Sequence, residues 1–141
     1  GPASVIERFG GAAVHYPPGA FGQSNLDIAG RIVEHVRAQV PENACVAEFY
    51  SGVGAIGLSL LPRVREIRMN EVSPHSLQGM ALGIAALDAA VSLHSVSGDV
   101  SCGFPLTVTD QKKNRLSGTI GKDSASLDVG TVSGSISISR K

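Results

Sequence analysis

Cys45-Val46-Ala47-Glu48-Phe49-Tyr50-Ser51-Gly52-Val53-Gly54-Ala55-Ile56-Gly57 is the stretch on which the fold turns. A short apolar run of strand length leads into a G-x-G-x-x-G spacing, and Leu58-Ser59-Leu60-Leu61 behind it suits a helix. Glycines at such a junction let the backbone turn tightly and approach a ligand, with helix N–H groups facing it. Alone the spacing is weak, because a tight strand-to-helix turn needs glycine for steric reasons too. Context strengthens it. Glu66-Ile67-Arg68-Met69-Asn70 reads as the next strand, and Glu71 closes it. Roughly 20 residues beyond the first glycine, a carboxylate suits ribose hydroxyls.

Upstream, Ala12-Ala13-Val14-His15-Tyr16 reads as a strand stopped by Pro17-Pro18-Gly19. A helix is expected from about Asn25 to Val40. Ser24 or Asn25 caps it, Asp27 sits in its first turn, and Ile28, Ile32, Val33, Val36 and Val40 recur at helical spacing until Pro41. Downstream, Ser73-Pro74 opens a helix carrying Leu77, Met80, Ala81, Ile84 and Leu87. Strand-helix alternation over 12–90 predicts a parallel sheet with helices on its faces.

Composition limits the function classes. The chain has 141 residues, with 12 Lys and Arg against 12 Asp and Glu. No basic excess marks a nucleic-acid surface, although Lys112, Lys113 and Arg115 cluster. No apolar run reaches the roughly 20 residues of a membrane span, so no membrane partner is expected. Gly1-Pro2 reads as a protease scar rather than the start of a signal peptide. Cys45 and Cys102 form no CxxC pair, which points to reduced thiols rather than a disulfide or a metal site.

Phe21-Gly22-Gln23-Ser24-Asn25, then Glu48 to Gly54, then Asn70-Glu71 resemble the S-adenosylmethionine-binding half of RNA (uracil-5-)methyltransferases. Plant and algal members are similar in the lead-in Pro17 to Gln23. The resemblance covers about 14–87. It implies a partial Rossmann-like α/β sheet and a cofactor site at Gln23, Tyr50, Gly52, Gly54, Ala55 and Glu71. It implies S-adenosylmethionine as cofactor, bound weakly, and a cytoplasmic or organellar parent enzyme. The first acid of the turn is usually Asp in that family and is Glu48 here. Members act through a cysteine nucleophile and a base that follow an Asp-Pro-Pro-Arg segment. This chain has no Asp-Pro-Pro, and Val100-Ser101-Cys102-Gly103-Phe104 does not match the nucleophile's setting. No catalytic residue is therefore assigned, and no uracil methylation is expected from the chain alone.

From Ser92 onward hydroxyl residues take over, with 11 Ser and 4 Thr in the last 50 positions. Val96-Ser97-Gly98-Asp99-Val100, Leu116-Ser117-Gly118-Thr119-Ile120 and Val132-Ser133-Gly134-Ser135-Ile136 repeat an apolar-flanked Ser-Gly corner. With Phe104-Pro105-Leu106 and Gly118 to Gly121, this part resembles bacterial adhesin-like β-repeat proteins. An all-β repeat segment, a β ladder, is expected over 92–141, after a truncated α/β segment over 1–91. Asp99 or Asp110 as a calcium ligand is weighed against a solvated turn acid.

Neither part reads as complete, and exposed sheet edges invite pairing. The chain reads as a chimera whose fragments complete one another, share one core through an extended sheet, or pair as a homo-oligomer through those edges. RNA is expected as a partner only if a missing half is supplied. Two functions stay open: a methyltransferase fragment that binds S-adenosylmethionine, and an engineered or chimeric structural protein with no ligand.

Overall fold

The computed structural model describes residues 4–85, 87, 89–102, 107–120, 126–132 and 136–138. In chain order the elements are β1 (Val5–Phe9), β2 (Ala12–Tyr16), α1 (Leu26–Gln39), β3 (Cys45–Phe49), α2 (Ala55–Leu60), β4 (Glu66–Asn70) and α3 (Pro74–Ile84). Then follow β5 (Ala89–Ser95), β6 (Val100–Cys102), β7 (Thr107–Lys112), β8 (Arg115–Ile120), β9 (Ser126–Thr131) and β10 (Ile136–Ile138).

Local chemistry sets the helix ends. Asn25 caps α1, its Oδ1 accepting the Ile28 N–H at 3.0 Å, and Ser73 caps α3 with Pro74 at the first helical position. The expected helical stripe of α1 is corrected in part. Ala29 and Val33 are its buried residues, while Ile28 and Ile32 are about half exposed. Strand-helix alternation does not reveal β1. Val5–Phe9 pairs antiparallel with Ala12–Tyr16 through a two-residue turn of Gly10 and Gly11, both at positive φ. This hairpin stands apart from the main sheet, so β2 is not one of the parallel strands.

The main sheet has six strands in the order β3-β4-β9-β5-β8-β7. β3, β4, β9 and β5 run parallel, whereas β8 and β7 are antiparallel. The β9 strand seats between β4 and β5, pairing Ile67 with Leu127 on one side and Leu93 with Val129 on the other. The strand-rich part is therefore not a separate ladder among the described residues: β5, β7, β8 and β9 extend the α/β sheet, because β4 presents an open edge that a parallel strand satisfies. β5 runs through the change of composition at 91–92. Among the described residues, β6 and β10 form a separate parallel pair beside α3.

One face of the sheet is covered. Ile67, Met69, Val91, Leu93, Leu116 and Val129 join Leu58, Leu60, Leu77, Met80 and Ile84 of α2 and α3 in the main core. Burial of these side chains drives the fold at about 25 cal/mol per Å² of apolar surface. A second cluster of Phe9, Val14, Ala29, Val33 and Val53 joins the hairpin to α1 and the glycine turn. The segments Phe104-Pro105-Leu106 and Ser133-Gly134-Ser135, together with Gly121, lie outside the described residues.

Candidate functional site

The turn after β3 is fastened from several sides. Ser51 Oγ donates to the carbonyls of Glu48 (3.1 Å) and Asn70 (3.3 Å), and the Ser51 N–H donates to Asn70 O at 3.1 Å. Gly52 and Gly54 have φ of 58° and 85°, where a side chain would be strained, so both glycines are required by the backbone. Tyr50 also sits in the left-handed region, with φ 56°, which is costly for an aromatic residue. Its ring is 88 % exposed.

Beside the turn lies a cleft of about 210 Å³. Of the residues implied by the family resemblance, the structure brings Gln23, Tyr50, Gly52 and Ala55 to its walls. Gly54 does not line it; it precedes α2 and lies close to Leu58 and Met80. Glu71 does not line it either. Its side chain is buried and its carboxylate accepts the backbone N–H groups of Gly52 (2.7 Å), Val72 (2.6 Å) and Ser73 (2.8 Å). Glu71 thus ties the glycine turn to the start of α3. Three of a carboxylate's roughly four acceptor positions are used in this way.

Several residues of the cleft carry no signal in the motif reading. Phe9 and Tyr16 come from the hairpin and Ile32 from α1, whereas Phe21, which opens the Phe-Gly-Gln-Ser-Asn motif, stands 75 % exposed at the rim. The Gly10-Gly11 pair between two short segments that begin or end on apolar residues, Val5 to Phe9 and Ala12 to Tyr16, is the available signal for the hairpin. Glu48 also lines the cleft. Burial pushes its carboxyl up to about 7, although the Gly57 N–H bonded to it works in the opposite direction. Its Oε2 is buried without a hydrogen-bond partner. A distant contribution comes from β9: Gly130 O accepts the Glu71 N–H and Asn70 Nδ2, both at 3.3 Å.

Away from the cleft, Asp99 lies 3.9 Å from Lys113 Nζ and Asp110 lies 4.0 Å from Arg115 Nε. Among the described residues no cluster of three or more metal-ligating side chains occurs. No described helix is long and apolar enough to cross a membrane. Cys45 is a free thiol, with Arg65 Nη2 at 2.9 Å from its sulfur. Phe104, the aromatic considered for stacking, is outside the described residues.

Comparison with known proteins agrees with a methyltransferase-like sheet. Over 76 residues the chain is 40% identical to an uncharacterized RNA methyltransferase of Protochlamydia amoebophila, covering 54% of this chain and 20% of that protein. It is 28% identical over 123 residues to one of Mesorhizobium japonicum, covering 84% of this chain and 28% of that protein. The chain thus spans a fifth to under a third of the length of these relatives. Among solved structures, the fold resembles a tRNA (uracil-54, C5)-methyltransferase of Pyrococcus abyssi in complex with S-adenosyl-L-homocysteine. The TM-score is 0.51 and the identity 21%, over 60% of this chain and 21% of that one. Trm5b of Pyrococcus abyssi gives a TM-score of 0.52 and 12% identity, over 73% of this chain and 33% of that one. At these identities the likeness concerns the fold. The Toastrack DUF4097 family model matches residues 81–139, a β-repeat domain.

Proposed function

We propose that the cleft binds S-adenosylmethionine and that the chain is the cofactor-binding part of an RNA methyltransferase, inactive alone, joined to a β-repeat part. The observation that carries this reading is the convergence of Gln23, the strained Tyr50 and the Gly52 turn on one cleft, with Glu71 holding the turn's N–H from behind. The homologous RNA methyltransferases and the fold shared with the tRNA (uracil-54, C5)-methyltransferase support it.

The residues fit such a ligand in part. Tyr50 and Phe21 offer exposed aromatic faces for a purine, and Gln23 offers an amide for polar groups. Gly52 allows close backbone approach, and Glu71 holds that turn from behind rather than facing the ligand. When bound, the group would supply an electrophilic methyl. The chain's own residues bind and orient it; none of the six is placed as nucleophile or base. Ligand pockets ordinarily enclose about 300–1,000 Å³. A cleft of about 210 Å³ holds only part of a nucleoside-amino acid conjugate, which leaves apolar ligand surface in water.

Calorimetric titration with S-adenosylhomocysteine tests the reading. Dissociation constants of micromolar order or weaker are expected, with each 1.4 kcal/mol of lost burial costing about tenfold. Tyr50→Ala and Gln23→Ala should each weaken binding about fivefold or more while leaving the fold intact, since both side chains sit on the cleft wall. No heat at millimolar ligand, or binding indifferent to both substitutions, would count against the site and favour the ligand-free structural reading. With labelled S-adenosylmethionine and uridine-containing RNA, the chain alone should show no turnover. Turnover abolished by Cys102→Ala would overturn that part.

A further inference from the structure

Among the described residues that line the cleft, Glu48 is the one acid, and part of its carboxyl has no partner. Its Oε2 is buried and accepts no hydrogen bond. A Cβ at Gly57 would lie 2.5 Å from that oxygen, so the glycine leaves room for the carboxyl against the first turn of α2. A buried carboxylate oxygen without a donor is costly, and the group avoids that cost by keeping its proton. Burial accordingly raises its pKa to about 7, against the pull of the Gly57 N–H. Among the described residues no cation lines the cleft to relieve it. The hairpin contributes Phe9 and Tyr16, and burial with Glu7 keeps the Tyr16 phenol neutral. α1 contributes Ala29, Ile32 and Val33, while its Asp27, Arg31 and Glu34 line a separate groove with Glu7 and Arg8. On β4, Met69 opposes Glu48 and the exposed Arg68 pairs with Glu66. Glu71 spends its carboxylate on three backbone N–H groups away from the cleft wall, and Tyr50 stands exposed.

We propose that Glu48 binds a cationic centre of the ligand and gives up its proton when that centre enters the cleft. This rests on the cofactor reading given above and adds a proton-linked contact to it. S-adenosylmethionine carries two such centres, its sulfonium and the ammonium of its amino-acid end, and S-adenosylhomocysteine keeps only the ammonium. The exchange balances: the Glu48 O–H proton passes to solvent, and the carboxylate left behind pairs with the cation. An opposite charge within about 4–6 Å lowers a carboxyl pKa by about 1–3, which brings Glu48 into its ionised form near pH 6. The sign follows from linkage. The bound form holds its proton less tightly than the free form, so affinity is greatest above the free pKa and is lost as pH falls through it. A ligand without a cationic centre shows no such dependence.

Titration calorimetry of the full chain at about pH 6, in phosphate and in imidazole buffer, tests this. The two buffers differ in ionisation enthalpy, so the difference in heat counts the protons released. S-adenosylmethionine should release more than about half a proton per molecule bound, and its Kd should rise about tenfold or more from about pH 8 to about pH 5. Release with S-adenosylhomocysteine as well assigns the ammonium; release with S-adenosylmethionine alone assigns the sulfonium. 5′-Methylthioadenosine, which has neither centre, should release none. Glu48→Gln should bind S-adenosylmethionine with no proton release and a flat pH profile, and the buffer comparison on the wild-type chain stands without the variant. Binding of S-adenosylmethionine without proton release would overturn the proposal and leave the cofactor reading intact. Release that persists in Glu48→Gln, or equal release with 5′-methylthioadenosine, would do the same. No heat with any of the three ligands would overturn both.

Discussion

Two helical glycines should respond to the same substitution with opposite signs. Gly79 lies inside α3 where the hairpin crosses it. A Cβ there would fall on the carbonyl oxygen of His15 and lie 2.9 Å from both Pro17 Cδ and Val53 Cγ1. None of these is the free end of a flexible side chain, so β2 must shift away from α3. Gly30 lies inside α1, and a Cβ there meets nothing within 4 Å. Removing glycine from a helix interior gains about 1 kcal/mol of propensity at either site. At Gly79, overpacking typically costs about 1–3 kcal/mol, and a backbone partner argues for the upper end. Gly79→Ala should therefore lose about 1–2 kcal/mol net, whereas Gly30→Ala should gain about 0.5–1 kcal/mol. For a chain of this size each kcal/mol moves Tm by about 3–4 °C. Thermal unfolding followed by circular dichroism should show Gly79→Ala roughly 3–8 °C below wild type and Gly30→Ala a few degrees above. Equal, positive shifts at both positions would mean that the hairpin does not rest on α3.

Other consequences are equally direct. Because Glu48 titrates near 7 rather than 4.5, the folded chain holds an extra proton between those values; the associated stability is present at low pH and is lost as pH rises, on the order of 3 kcal/mol across the window. Glu48→Gln should flatten Tm between pH 4.5 and 7 relative to wild type, and parallel curves would refute the burial argument; His15, whose pKa is lowered by burial, adds a weaker slope of the opposite sign to both proteins. Glu71→Ala strips the acceptor from the N–H groups of Gly52, Val72 and Ser73 and should cost about 2–3 kcal/mol, read as a lowered urea midpoint; an unchanged midpoint would show that the carboxylate does not hold the turn. Since β9 joins β4 to β5, Val129→Ala should lower one common unfolding transition for helix and strand signals together, and two separated transitions would contradict a continuous sheet.

What was legible in the chain was local. The Asn25 cap, the Pro41 stop and the Ser73-Pro74 start carry their own chemistry, and the observed helices begin where those residues place them. The strand before the glycine turn was legible for the same reason, and the structure brings Gln23 and Tyr50 to the cleft beside Gly52. The partner of β4 was not. Ile67 and Leu127 are 60 residues apart, a parallel pairing leaves no turn signature, and alternation in β9 names a face without naming a neighbour. The stripe of α1 was legible in part: Val33 is buried as its spacing suggests, whereas Ile28 and Ile32 are about half exposed and Ala29, a weaker apolar signal, is buried, because the hairpin's position decides which residues are covered. Glu71 was legible as an acid near the turn, but its engagement with three backbone donors depends on how the β4–α3 connection folds back.

The two faces of the sheet differ in kind. Parallel strands are ordinarily buried on both faces. Here the covered face carries Ile67, Val91, Leu93, Leu116 and Val129, while the other carries Arg68, Asp128, Ser92, His94, Ser117 and Arg115 in neighbouring registers. These polar groups meet one another: Arg68 with Glu66 at 2.7 Å, His94 with Asp128 at 3.1 Å, and Ser117 with Ser92 at 3.3 Å. Exposed pairs of this kind contribute little stability, but they leave the face hydrated and its charges matched. A face so arranged offers an incoming protein surface little apolar area to bury. Toward β3 the pattern changes, and Cys45, Ala47 and Phe49 continue the same face without charge. The apolar stretch of Cys45, Ala47 and Phe49 therefore sits at the margin of a polar face, on a strand with one neighbour, β4, among the described residues.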